Sequence, residues 1–128
     1  MFVQLYKTFM SRVIHFEIPA SNPETVINFF QTVFGWKIQK WGDQPYWICS
    51  TGENDQMGIN GAIMQKANER HHVQNTISVN EIEAARKAVV TNGGKLTSEV
   101  MDIPTIGKFC YFSDPDGNIH GMLQAAPM

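Results

Sequence analysis

Apolar and polar positions alternate over residues 12–18. Val13, His15 and Glu17 fall on one side, Ile14, Phe16 and Ile18 on the other, which predicts a strand. Asn22-Pro23 then offers a capping residue and a proline suited to the first helical position. Val26, Phe29, Phe30, Val33 and Phe34 recur at helical spacing and predict an amphipathic helix, which Gly35 ends. Three strand-like runs follow, at 36–41, 45–50 and 57–64, separated by turn residues. The same order then returns. Residues 71–79 read as a strand. Asn80, with Glu83 three residues on, reads as a capping box before a helix whose stripe is Ile82, Ala85 and Val89. Gly93 closes that helix. Strands are predicted at 95–101, 105–112 and 118–124, with Asp114-Pro115-Asp116-Gly117 as the last turn.

The halves also match in residues. Gly35-Trp36-Lys37-Ile38 parallels Gly93-Gly94-Lys95-Leu96, and Ile59-Asn60-Gly61-Ala62-Ile63 parallels Ile119-His120-Gly121-Met122-Leu123. Such a repeat predicts two βαβββ modules, each too small to stand alone. The expected division is an extension at 1–11, a first module at 12–65, a linker at 66–70 and a second module at 71–125, all within one compact domain.

Composition narrows the function classes. At 43% apolar and 17% charged, the chain is not of the disordered kind. A net charge of -2 without a basic run argues against nucleic acid as a partner. No window reaches the ~18 apolar residues a membrane span needs. Cys49 and Cys110 form no CxxC pair, and the N-terminus lacks the apolar run of a signal peptide, so a cytoplasmic protein with reduced thiols is expected. Eight Phe, three Trp and three Tyr are many for so short a chain.

Three stretches resemble the vicinal oxygen chelate superfamily of glyoxalase I, bleomycin-resistance proteins and extradiol dioxygenases, in particular its small single-domain, glyoxalase-related branch. They are Val13-Ile14-His15-Phe16-Glu17-Ile18-Pro19-Ala20 with its helix ending Phe34-Gly35-Trp36, Ile77-Ser78-Val79-Asn80 with its helix ending Asn92-Gly93-Gly94-Lys95, and Phe112-Ser113-Asp114-Pro115-Asp116-Gly117-Asn118. The resemblance implies an α+β fold in which two tandem βαβββ modules form a U-shaped, eight-stranded mixed sheet around a cavity, with the helices outside.

The resemblance also implies four ligand positions for a divalent metal (Ni, Zn, Mn or Fe), whose open coordination sites take two substrate oxygens. They fall on His15, Gly61, Gln74 and Gly121, so one good ligand remains. A shift of two residues keeps the strand facing and would let Glu17 and His72 join His15 as a rescue set. Without a metal, His15, Glu17, Gln74 and Thr76 project into the cavity as polar groups, and Gly61 and Gly121 leave room on its floor. His15 and Glu17 are the candidate proton-transfer pair, the carboxylate raising the histidine pKa. Trp41, Trp47, Phe109 and Tyr111 are candidate lining aromatics. Alternation puts Trp47 with Cys49 and Phe109 with Tyr111, but leaves open which face is inside.

The first expectation for function is therefore binding of a small aromatic or oxygenated molecule without the usual metal. The alternatives are a metal-dependent lyase, isomerase or dioxygenase of the glyoxalase type, and a non-catalytic interaction scaffold. The resemblance also implies that the chain could form a homodimer.

Overall fold

The computed structural model describes residues 11–127. Residues 1–10, most of the predicted extension, lie outside that range. Contacts divide the described residues into two units, one spanning Ile14–Gln74 and the other taking the chain from Asn75 onward together with residues 11–13.

The first unit follows the predicted order. Strand β1 (Val13–Ala20) leads into helix α1 (Pro23–Phe34), then β2 (Lys37–Lys40), β3 (Tyr46–Ser50) and β4 (Gly61–Gln65). The strands lie in the order β2-β3-β4-β1, with β1 parallel to β4 and the other pairs antiparallel. Asn22 caps α1 by accepting from the Thr25 amide at 3.4 Å, Pro23 opens it, and Gly35 ends it at φ 72°. The run expected at 57–64 starts later, because the Asn60 side chain accepts from the Thr51 amide at 2.9 Å and holds residues before Gly61 in a loop.

The core of this unit is Ala20, Cys49 and Ile63, closed by Val26, Ile27 and Phe30 of α1 with Phe16, Ile18, Trp36 and Ile38. The helix therefore buries a stripe rotated from the expected one. Phe29, Val33 and Phe34 are each more than half exposed. Their helical period is sound, but Ile27 docks in their place. Phe30 stacks on Trp36 at 4.5 Å between ring centroids, which turns that edge of α1 onto the sheet.

The second unit contains β5 (Gln74–Ser78), α2 (Ile82–Thr91), β6 (Lys95–Leu96), β7 (Met101–Ile103), β8 (Gly107–Ser113) and β9 (Ile119–Ala125). Gln74 itself groups with the first unit. The order is β5-β9-β8-β6, with β7 also on β8. Three expectations are corrected here. The strand predicted from His71 begins at Gln74. The strand predicted at 95–101 is broken into β6 and β7, because the Ser98 hydroxyl replaces a ladder acceptor for the Tyr111 amide at 2.8 Å. Finally, Asn80 is not the cap of α2. Glu81 holds that position without a side-chain bond, and Gln124 of β9 accepts from the Ile82 amide at 2.8 Å instead.

Ile82, Cys110 and Met122 form the second core with Val79, Ala85, Val89, Val100 and Phe112. The β8–β9 turn is organised by Asp114, which accepts from the Asp116 and Asn118 amides at 2.9 and 3.0 Å and pairs with His120 Nε2 at 3.0 Å. This ties His120, the second residue of β9, to the turn, and its ring stacks on Phe112 across the ladder. Among the described residues no helix is long and apolar enough to cross a membrane.

Candidate functional site

The faces of each sheet follow from the cores. In the first unit Phe16, Ile18, Cys49 and Ile63 point to α1, so His15 and Glu17, by alternation, occupy the opposite face. Register adds Ala62, which pairs with Glu17, then Ile48, which pairs with Ala62, and Tyr46, two residues before Ile48. Three polar side chains then meet. The Tyr46 hydroxyl donates to Glu17 Oε2 at 2.9 Å, and His15 Nε2 lies 2.9 Å from the same hydroxyl. The imidazole and phenol planes are within 10°. Trp41 stands edge-on to Tyr46 at 5.8 Å and is nearly half exposed. Glu17 is buried at 6% exposure, and His15 is half-buried.

Burial lowers the His15 pKa, and the attraction of Glu17 only partly offsets this. The expected upward shift is thus reversed, and His15 is a neutral imidazole at neutral pH. A depressed folded-state pKa contributes stability above the unfolded value of 6.5 that is lost as pH falls through the folded value. Unfolding free energy from urea titrations should therefore decline between pH 7 and 5. His71 shifts in the same direction, so the informative quantity is the difference between wild type and His15→Gln, in which the slope should flatten by up to one proton. An unchanged slope would count against the burial of this imidazole.

In the second unit Cys110 and Met122 point to α2. Thr76, Phe109, Tyr111 and Gly121 share the other face, since Thr76 and Tyr111 both pair with Gly121. Phe109 and Tyr111 meet edge to face at 4.8 Å. Gln74 shares the facing of Thr76 along β5, is 7% exposed, and carries a buried Oε1 without a partner among the described residues.

The two glycines behave differently from expectation and from each other. Gly61 pairs with Phe16 and Cys49, so it faces α1, not the His15 side. A Cβ there would collide with the Phe16 carbonyl and lie 2.5 Å from its ring. Gly121 faces away from α2, but a Cβ there would lie 2.6 Å from Phe109 Cζ. Neither glycine leaves open floor, because a phenylalanine covers each. Across the repeat His15 corresponds to Gln74 and Glu17 to Thr76, so Ala62, not Gly61, corresponds to Gly121. Trp47 is also displaced from the expected lining set. It pairs with Ile63, on the α1 side, and carries Lys40 Nζ 5.8 Å from its ring. Tyr46, absent from the expected lining set, is the residue that joins His15 to Glu17.

Residues 12–120 match the Glyoxalase/Bleomycin resistance protein/Dioxygenase superfamily. The chain belongs to this superfamily. A glyoxylase-like domain-containing protein of Didymella fabae is 30% identical over 113 residues, covering 83% of this chain and 88% of its own length. "Putative glyoxylase CFP32" of Mycobacterium bovis is 27% identical over 114 residues, covering 87% of this chain but 43% of its own. The chain thus spans less than half of that relative. A superfamily member of known structure from Vibrio splendidus superposes with a TM-score of 0.65 at 17% identity, covering 91% of this chain and all of that one, and shares the fold.

The glyoxalase superfamily commonly uses divalent metals, so the donor set must be tested against one. His15 Nε2 and Glu17 Oε2 are both engaged by Tyr46. His72 is exposed and precedes β5. Among the described residues no three His, Cys, Asp or Glu side chains converge. Gln74 adds only a neutral amide. A catalytic metal needs about three protein ligands, and the residues present do not fit one. The rescue by Glu17 and His72 is not assembled.

Proposed function

We propose that this superfamily member binds a small planar, oxygen-bearing molecule on the face of the first unit that carries His15, Glu17, Tyr46 and Trp41, without a metal held by these side chains. The observation that carries the reading is the hydrogen-bonded chain from His15 through Tyr46 to Glu17, with an exposed indole beside it. Such a polar set orients a ligand, and an exposed aromatic ring supplies area for stacking. A homodimer and a cytoplasmic location go with this reading as proposals.

The test is titration of 2-naphthol, a planar phenol, followed by tryptophan fluorescence. Binding should alter the emission, Trp41→Leu should remove most of the change, and His15→Ala should weaken affinity about tenfold, the loss of about one good hydrogen bond. Near-stoichiometric metal in the purified protein that leaves on His15→Ala would favour the metal-dependent alternative. Absence of binding across a panel of planar phenols and ketones would favour the scaffold.

A further inference from the structure

A phenol has one proton. Tyr46 gives it to Glu17, whose carboxylate can only accept. The Tyr46 oxygen therefore has no proton left for His15, and the contact at 2.9 Å is a hydrogen bond only if His15 Nε2 is the donor. A neutral imidazole that holds its proton on Nε2 has a bare lone pair on Nδ1. No partner for Nδ1 is found among the described residues. The same compact unit holds a second acceptor in want of a donor, the buried Gln74 Oε1. A buried acceptor left unpaired, such as Gln74 Oε1, is costly, and a ligand that pairs with it recovers that cost, while the Nδ1 lone pair is open to a ligand donor.

We propose that Tyr46 is a positioning residue that fixes His15 as the Nε2–H tautomer, so that the site selects ligands presenting an O–H or N–H donor over isosteric ligands that can only accept. This rests on the small-molecule reading above and specifies its ligand as a neutral aromatic hydroxyl or amide compound. The polarity is set two bonds away from the ligand: the Glu17 charge orients the Tyr46 proton, and the Tyr46 oxygen orients the histidine proton.

The test has two arms on the full chain. In the first, the ring nitrogens of His15 are observed by 15N NMR at pH 7.5 without ligand. Wild type should show a protonated Nε2 and a bare Nδ1, and Tyr46→Phe should show a mixture of tautomers. In the second, 2-naphthol is compared with 2-methoxynaphthalene, which keeps the ring and oxygen but has no donor. Wild type should bind 2-naphthol at least tenfold more tightly, and Tyr46→Phe should reduce that preference below threefold, chiefly by tightening the ether, which accepts from the Nδ1–H tautomer. A wild-type His15 protonated on Nδ1 overturns the tautomer. Equal binding of both compounds overturns the donor selection but leaves small-molecule binding standing. Binding of neither compound, with the tautomer as stated, overturns the ligand class and points to failure of the small-molecule reading.

Discussion

Gly61→Ala should destabilise the protein by about 3 kcal/mol, near the upper end of overpacking costs. Alanine is ordinarily the better strand residue, by roughly 0.5–1 kcal/mol over glycine. Here that gain is overridden, because the new methyl would collide with the Phe16 main-chain carbonyl as well as its ring. Gly61 opens β4 and is the first residue in register with β1, so the Phe16 main chain cannot step aside without parting the start of that ladder, between His15 and Glu17. Gly121→Ala provides the contrast. Its methyl would meet Phe109 Cζ at 2.6 Å and Thr76 Oγ1 at 3.2 Å, both side-chain atoms. That variant should cost only about 1 kcal/mol, since a ring tip can swing. Denaturant midpoints in a double-mutant cycle separate the two cases. Phe109→Leu should relieve most of the Gly121→Ala penalty, whereas Phe16→Leu should leave the Gly61→Ala penalty mostly in place because the carbonyl remains. Full relief by Phe16→Leu would show that the ring alone excludes the methyl. The same contacts bear on restoring a carboxylate at position 121, which would have to displace Phe109 first.

The order of elements was legible because it depends on local chemistry. Asn22, Pro23 and Gly35 mark α1 through interactions within one turn of its ends. What the sequence withheld depends on partners far along the chain. Ile27 rather than Phe34 enters the core because Phe30 and Trp36 stack, a contact periodicity does not encode. The cap of α2 comes from Gln124, 42 residues away. The assignment of Gly61 failed by one residue, and in a strand one residue exchanges the faces. The repeat aligns Gly61 with Gly121 by letters, but the registers align Ala62 with it. His15 and Glu17 were visible as candidates because they alternate on one strand. Tyr46 was not, because its role depends on where β3 lies against β4, and only the register supplies that.

Replacing Glu17 by Leu should abolish the preference of the site for a donor. Leaving the Tyr46 hydroxyl without this acceptor costs roughly 1–3 kcal/mol, less than the stability of a typical domain, so the fold is expected to survive. Without the carboxylate, the Tyr46 proton is no longer drawn toward β1. Its available acceptor in the chain described above is His15 Nε2, 2.9 Å away. Once Nε2 accepts, the neutral imidazole carries its proton on Nδ1, and the atom facing the ligand changes from acceptor to donor. The ether, mismatched against a bare Nδ1 in wild type, can then accept from Nδ1–H, a relief of roughly 1–3 kcal/mol, whereas the phenol oxygen pairs with either tautomer. The ratio of 2-naphthol to 2-methoxynaphthalene affinity should therefore fall by at least tenfold, with the ether binding more tightly than it does to wild type. The 15N spectrum should show the proton on Nδ1. Glu17→Leu separates proton direction from simple loss of contact, because it touches neither ring. If both ligands lost affinity in proportion, Glu17 would act through shape or charge alone. A gain for the ether with the proton found on Nδ1 marks a redirected proton, whereas the same gain with Nε2 still protonated would show that the added apolar side chain alone shifts the preference.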